Sequence, residues 1–126
     1  MELEFTSEQD ELRDGVRGML TRECPISLVR ALVEDGASAD GLWRQMVELG
    51  WPALTVPEEH GGLGLGAVEL AVVIEELGRV LAPGPFIPTV SQFVPAIREA
   101  GNPEQQARFL PGVAEGTRTG TLAITE

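Results

Sequence analysis

Lysine is absent from this sequence, cysteine and histidine occur once each, and no long apolar run is present. Each scarcity closes off a class of function. The nine basic residues, all arginine, face 20 acidic ones, leaving a net charge of −11. A surface of that sign does not bind nucleic acid, whose phosphates require a basic one. With Cys24 alone there is no internal disulfide and no cysteine-based zinc site. A nucleophilic thiol wants a histidine partner; His60 is the only one and nothing couples the two, so Cys24 is read as a small apolar packing residue. The longest apolar run, Leu70 to Ile74, falls far short of the ~18 residues that a membrane span needs. The opening MELEFTSEQDEL is acidic where a secretory leader would be basic and then apolar. The expectation is a soluble, cytoplasmic protein with no membrane span.

What remains is enough for one packed domain: 126 residues, 43% of them apolar. Helical punctuation recurs along the chain. Thr6 with Gln9 fits a capping box, and Leu12, Val16, Met19 and Leu20 follow on one helical face. Pro25 ends that helix at Cys24. Ile26, Val29, Leu32 and Val33 predict a short second helix closing near Asp35 and Gly36. Asp40 is expected to cap a third, carrying Leu42, Trp43, Met46 and Leu49 and ending at Gly50. Residues 51–66, with Pro52, Pro57 and four glycines, cannot form regular helix. Ala67 to Leu81 is apolar on nearly every side and is expected to be the central, fully surrounded helix.

After a stiff turn at Pro83, Pro85 and Pro88, the residues Val90, Phe93, Val94 and Ile97 define a fifth helix, interrupted by Pro95 and stopped by Gly101. Asn102, Pro103 and Gln105 start a sixth, with Ala107, Leu110, Val113 and Ala114 inward and Gly116 at its end. Thr117 to Glu126 alternates, is rich in threonine, and reads as one β-strand without a partner. The fold class expected is mostly α: an up-and-down bundle of five to six helices with a short C-terminal strand. The helical domain covers residues 1–116, and residues 117–126 open a second, β-domain. A strand with free edges should be mobile or pair with another copy, and the helices should be indifferent to its removal.

Four segments in order resemble the N-terminal domain of the acyl-CoA dehydrogenases: FTSEQDELRDGVRGML, LWRQMVELGWPALTVPEEHGGLGLG, ELAVVIEELGRVLAPGP and AGNPEQQARFLPGVAEGTRTGTLAITE. The second carries a Pro-Glu-Glu-x-Gly-Gly-x-Gly loop and the third a Glu-Glu-Leu-Gly. Together they cover almost the whole chain. The resemblance implies a helical domain preceding a middle β-domain and a C-terminal four-helix domain. It also implies FAD as cofactor, an acyl-CoA thioester as substrate, an electron-accepting flavoprotein as partner, and a homo- or hetero-oligomer of related subunits. The α,β-desaturating base comes from the family's C-terminal half, so no catalytic residue is expected in this chain, which should be inactive alone.

The same resemblance assigns residues. Thr125 and Glu126 match the start of the family's flavin-contact segment, so Leu122, Ile124 and Thr125 would touch flavin; the residue-level alternative is an ordinary strand threonine. The helix lining the acyl pocket corresponds to Pro88, Gln92, Phe93 and Pro95. Two prolines and a glutamine there imply a widened, polar-tipped pocket for a bulky acyl group, against plain core for Phe93 and solvent for Gln92.

Glu58, Glu59 and His60 stand at adjacent loop positions and make a poor metal set; no metal site is expected. Gly61, Gly62, Gly64 and Gly66 lack the preceding strand of a phosphate-binding fingerprint and are read as turn formers with positive φ. Of Glu75 and Glu76, one could be a buried acid with a shifted pKa; the alternative is pairing with Arg79. Two other functions stay open: a flavin monooxygenase of the same fold, and a non-enzymatic helical interaction module.

Overall fold

The computed structural model describes residues 4–124, so the Thr125 and Glu126 assignments lie outside the described residues. Six α-helices follow in order: α1 Ser7–Glu23, α2 Ile26–Asp35, α3 Asp40–Glu48, α4 Ala67–Arg79, α5 Val94–Ala100 and α6 Pro103–Ala114. The expected capping box forms at α1, and the expected helix start at Asn102 proves to be a second one. At the start of α1 the Gln9 N–H donates to Thr6 Oγ1 at 3.2 Å while Gln9 Oε1 accepts from the Thr6 N–H at 3.0 Å. At α6, Asn102 and Gln105 exchange the same two bonds at 2.8 and 2.9 Å, with Pro103 first in the helix. Asp40 departs slightly from expectation, standing inside the first turn of α3, where its charge meets the helix N-terminus.

The chain divides into two compact units. One holds α1, α2 and α4. Val16, Met19, Leu20 and Cys24 are buried from the first part of the chain, and Val72, Val73 and Leu77 from α4. Side-chain contacts that join α1 to α4 include Gln9 to Glu69, Arg13 to Glu75, and Arg17 to Glu76. Both members rise in number together, so the two helices run in the same direction. Strict up-and-down alternation, which would set a first and a fourth helix antiparallel, therefore does not hold in this unit. Nor is α4 surrounded. Its buried residues occupy one face, while Val68 is 49% exposed and Ala71 is open to solvent. A nearly all-round apolar sequence thus marks a helix with one inner face and an outer side where Val68 and Ala71 stand beside Glu75 and Arg79.

The other unit holds α3, residues 51–66, the helices after Gly84 and the following segment. Its core is Val56, Val94, Leu110 and Val113, with Phe93, Ile97 and Ala114 packed against it. Trp51 meets Phe86 edge-on, ring centroids 6.4 Å apart. Residues 51–66 are irregular as expected, with single 3₁₀ turns at Trp51–Ala53 and Glu58–His60. Unexpectedly, all of residues 51–56 are buried. Buried irregular backbone needs partners, and the chain supplies them by doubling back: the N–H groups of Leu63, Gly64 and Leu65 donate to the carbonyls of Ala53, Val56 and Leu54, each at 2.9 Å. Gly61 and Gly64 do adopt positive φ, but Gly62 does something else. A Cβ there would lie 1.9 Å from the Val56 carbonyl oxygen, so this close return is open only to glycine.

The expected strand is not formed among the described residues: residues 117–124 are irregular. A strand is a pairing, and no second strand exists among them to complete it. The segment is instead tied to the helices of its own unit. The Thr117 and Arg118 N–H groups both donate to the Gly112 carbonyl at 2.9 Å, and the Arg118 guanidinium lies 5.1 Å from the Phe109 ring centroid.

Leu77, on the inner face of α4, is expected to cost about 2–5 kcal/mol on Leu77→Ala. The exposed Glu59 should cost under about 0.5 kcal/mol on Glu59→Ala. Urea melts of the two variants check this; equal midpoint shifts would contradict the packing described.

Candidate functional site

Proline shapes the segment from which the site is built. Pro95 has no N–H, and its ring would strike the carbonyl four residues back in a regular α-helix. Ahead of it the chain winds wider, as π-helix over Pro88–Phe93, and the Val94 N–H reaches the Thr89 carbonyl five residues back. Ser91 Oγ donates to the Ile87 carbonyl at 2.5 Å, supporting the same turn. The fifth helix is therefore not interrupted at Pro95 but continues from π-helix into α5.

All four residues assigned to the acyl side lie on or beside this winding. Pro88 and Pro95 are half-buried, and Phe93 is half-buried against the core, edge-on to Phe109 at 6.0 Å. Gln92 is exposed, its Oε1 accepting from Thr121 Oγ1 at 3.2 Å. The segment assigned to the flavin side lies against it. Gly120 sits over the Phe93 ring so closely that a Cβ would be 2.4 Å from Cγ. The fully buried Thr89 bonds it twice: Oγ1 donates to the Gly120 carbonyl and accepts from the Gly120 N–H, both at 3.2 Å. Beyond that contact Leu122 is 46% and Ile124 79% exposed. This exposed, irregular run offers apolar side chains, a surface compatible with a flat heteroaromatic ring.

Thr89 and Gly120 were not singled out by sequence reasoning. Thr89 was hidden among the prolines of a presumed turn. Gly120 carried a usable signal, because a glycine within an alternating segment marks the close approach of another group.

The other candidates resolve as structural. Glu76 is buried, with its carboxylate held by Arg17 through Nε at 3.0 Å and Nη2 at 2.6 Å, and by Arg79 Nε at 2.9 Å. The hydrogen bond from Arg17, against the opposing cost of burial and with the help of Arg79, lowers its pKa from 4.5 to about 2. It is a fixed anion and not a proton carrier. Glu75 is exposed and pairs with Arg13 at 3.2 Å. Burial pushes the Cys24 thiol up, which keeps it protonated. His60 Nε2 lies 3.7 Å from Glu59. Among the described residues no group of three or more His, Cys, Asp or Glu side chains could hold a metal ion, and no helix is long and apolar enough to cross a membrane.

Comparison with known proteins places this architecture. The family model described as acyl-CoA dehydrogenase, N-terminal domain, matches residues 6–117. Acyl-CoA dehydrogenase IpdE2 of Mycobacterium tuberculosis is 34% identical over 119 residues, 93% of this chain and 36% of that protein. A solved steroid ACAD superposes with a TM-score of 0.79 at 36% identity, covering 90% of this chain and 31% of the other. An acyl-CoA dehydrogenase from Bacillus anthracis, solved in complex with FAD, gives 0.74 at 27% identity over 92% of this chain and 20% of that one. The chain belongs to the acyl-CoA dehydrogenase family, a family of flavoprotein oxidoreductases of lipid metabolism, and corresponds to its N-terminal helical domain. It spans about a third of the length of the curated relatives it matches first.

The Glu76 cluster generates a pH prediction. Unfolded, this carboxylate takes its proton near 4.5; folded, only near 2, so the folded state binds fewer protons in that window. Its contribution is complete above about 4.5 and is lost as pH falls toward 2. Because both guanidiniums are about half exposed and screened by water, it is on the order of 1–2 kcal/mol. Glu76→Gln should lower stability at neutral pH by that amount, and the gap to wild type should close between pH 4.5 and 2. Denaturation curves across that range check it; a constant gap would mean the group is not ionised by its partners.

Proposed function

We propose that this chain supplies the N-terminal part of an FAD-dependent acyl-CoA dehydrogenase that desaturates an acyl-CoA thioester between its α and β carbons. The observation that carries the reading is the seating of Gly120 on Thr89 and Phe93. It brings the run containing Leu122 and Ile124 beside the π-helix of Pro88, Gln92 and Phe93. In this reading Leu122, Ile124 and Thr125 meet the flavin, and Pro88, Gln92, Phe93 and Pro95 border the acyl group. Bound flavin would supply the hydride acceptor. The residues of this chain bind and orient: apolar side chains exclude water from the ring, and backbone N–H groups stabilise negative charge gathered at its polar end.

The acyl group in this reading is bulky. The wider π-helical turn and the polar tip of Gln92 support that, and the 36%-identical relative is a steroid ACAD. The proton-abstracting base belongs to residues outside this chain, as do the contacts with an electron-accepting flavoprotein and with related subunits in a homo- or hetero-oligomer. Residues 1–116 form the helical domain of the assembly, and residues 117–126 lead into its β-domain. The dehydrogenase reading is favoured over a monooxygenase because the matched relatives are dehydrogenases by name.

Two measurements test the proposal. The purified chain should be colourless and should not reduce an artificial electron acceptor with any acyl-CoA; stoichiometric FAD on the isolated chain would overturn its dependence on other residues. A chimera joining this chain to the part of IpdE2 that follows its matching segment should bind FAD, and Leu122→Asp should weaken that binding at least about tenfold, the equivalent of roughly 1.4 kcal/mol. Unchanged flavin affinity would remove the flavin assignment.

A further inference from the structure

One hydroxyl does for Gly120 what a neighbouring strand would do. In an antiparallel ladder a residue gives its N–H to, and takes an N–H at its C=O from, the strand beside it. No strand pairs with residues 117–124 among the described residues. Thr89 Oγ1 nevertheless receives the Gly120 N–H and donates to the Gly120 carbonyl, both at 3.2 Å. A hydroxyl offers donor and acceptor on a single atom. Thr89 is fully buried and Gly120 half-buried, so both bonds are partly shielded from water. A hydrogen bond left unmade there leaves the buried hydroxyl without a partner.

The register is fixed from a second direction as well. Gly120 lies on Phe93, and only a residue without Cβ fits; a Cβ would come within 2.4–2.8 Å of three ring atoms. Moving the chain by one residue would bring Thr119 or Thr121 onto that ring, each with a branched side chain. Thr121 is further held by its Oγ1 donating to Gln92 Oε1 at 3.2 Å. The three anchoring residues Thr89, Gln92 and Phe93 all belong to the π-helical winding.

We propose that Thr89 is a positioning residue whose hydroxyl, together with the ring of Phe93, latches Gly120 and fixes the register of residues 120–124 on the π-helix. Its consequence for chemistry rests on the flavin and acyl assignments above: the latch sets the separation between the flavin-contact run and the acyl-lining turn. A change at Thr89 therefore acts on the reaction through Gly120 and not by touching either ligand.

Amide hydrogen exchange on the chain tests the latch without any flavin. Thr89→Val keeps the shape and removes both bonds; it should speed exchange at Gly120 by about tenfold, leaving α4 and α6 amides unchanged. Thr89→Ser retains the hydroxyl and should stay within about threefold of wild type. Gly120→Ala leaves Thr89 intact but drives a methyl into Phe93, and should speed exchange at Thr121 and Leu122. If Thr89→Val does not fold, the serine and Gly120→Ala variants decide the matter. Unchanged exchange at Gly120 in Thr89→Val, or in Gly120→Ala at Leu122, would overturn the proposal. So would a uniform rise across α6, which would make Thr89 a mere filler of the core. In the chimera, Thr89→Val should lower the rate of flavin reduction by acyl-CoA with KM little altered. Faster exchange at Gly120 with an unaltered reduction rate would uphold the latch and sink the flavin assignment instead.

Discussion

A backbone amide or carbonyl removed from water has to find a partner, and the second unit of this chain is organised by that requirement. Its core includes a stretch of chain, residues 51–56, that is buried yet not regularly helical. Helix would have satisfied those groups internally, but Pro52 and Pro57 exclude it. The chain returns on itself instead, and Leu63, Gly64 and Leu65 supply the N–H groups that the buried carbonyls need. Gly62 permits the return, Trp51 gains its edge contact with Phe86, and Val56 reaches the cluster with Val94, Leu110 and Val113. Further along the chain, the Gly112 carbonyl accepts from Thr117 and Arg118, and the buried Thr89 hydroxyl both accepts from and donates to Gly120.

Electrostatics organises the first unit in a comparable way. A carboxylate inside a helical pack is unfavourable unless opposite charge meets it with good geometry. Arg17 gives a two-pronged contact from α1 and Arg79 a further one from the same helix as Glu76. Because Arg17 must meet Glu76 while Gln9 meets Glu69, the relative shift of α1 along α4 is specified as well as their association. Apolar faces alone would tolerate sliding by a turn; this set of polar contacts does not.

Much of this fold was legible in the sequence, and the reasons differ between its parts. Capping residues act locally, so Thr6 with Gln9 and Asn102 with Gln105 announced α1 and α6 without any knowledge of tertiary structure. The inner residues of α1, Val16, Met19 and Leu20, followed from helical spacing for the same reason. Residues 67–81 were misjudged because hydropathy reports what a helix can bury and not what is beside it: Val68 and Leu81 are both exposed. The strand expected at residues 117–124 was misjudged because alternation describes a disposition to pair, while pairing depends on a second segment. At the candidate site, Pro88, Gln92, Phe93, Pro95, Leu122 and Ile124 are assigned through family resemblance. The pair that joins their two segments, Thr89 and Gly120, was not, because a contact spanning 31 positions leaves no local signature beyond an unexpected glycine.

The π-helical winding at Pro88–Phe93 has an evolutionary consequence. Its hydrogen bonds span i to i+5 where an α-helix spans i to i+4, so each such turn carries one residue more over the same path. A single codon gained or lost inside it changes the winding locally and can leave α5 beyond it in register. Most indels in a packed helix rotate everything downstream by about 100° and scramble its inner face. Here a change of length falls on the segment that anchors Gly120, so it alters the adjoining surface before it disturbs α5.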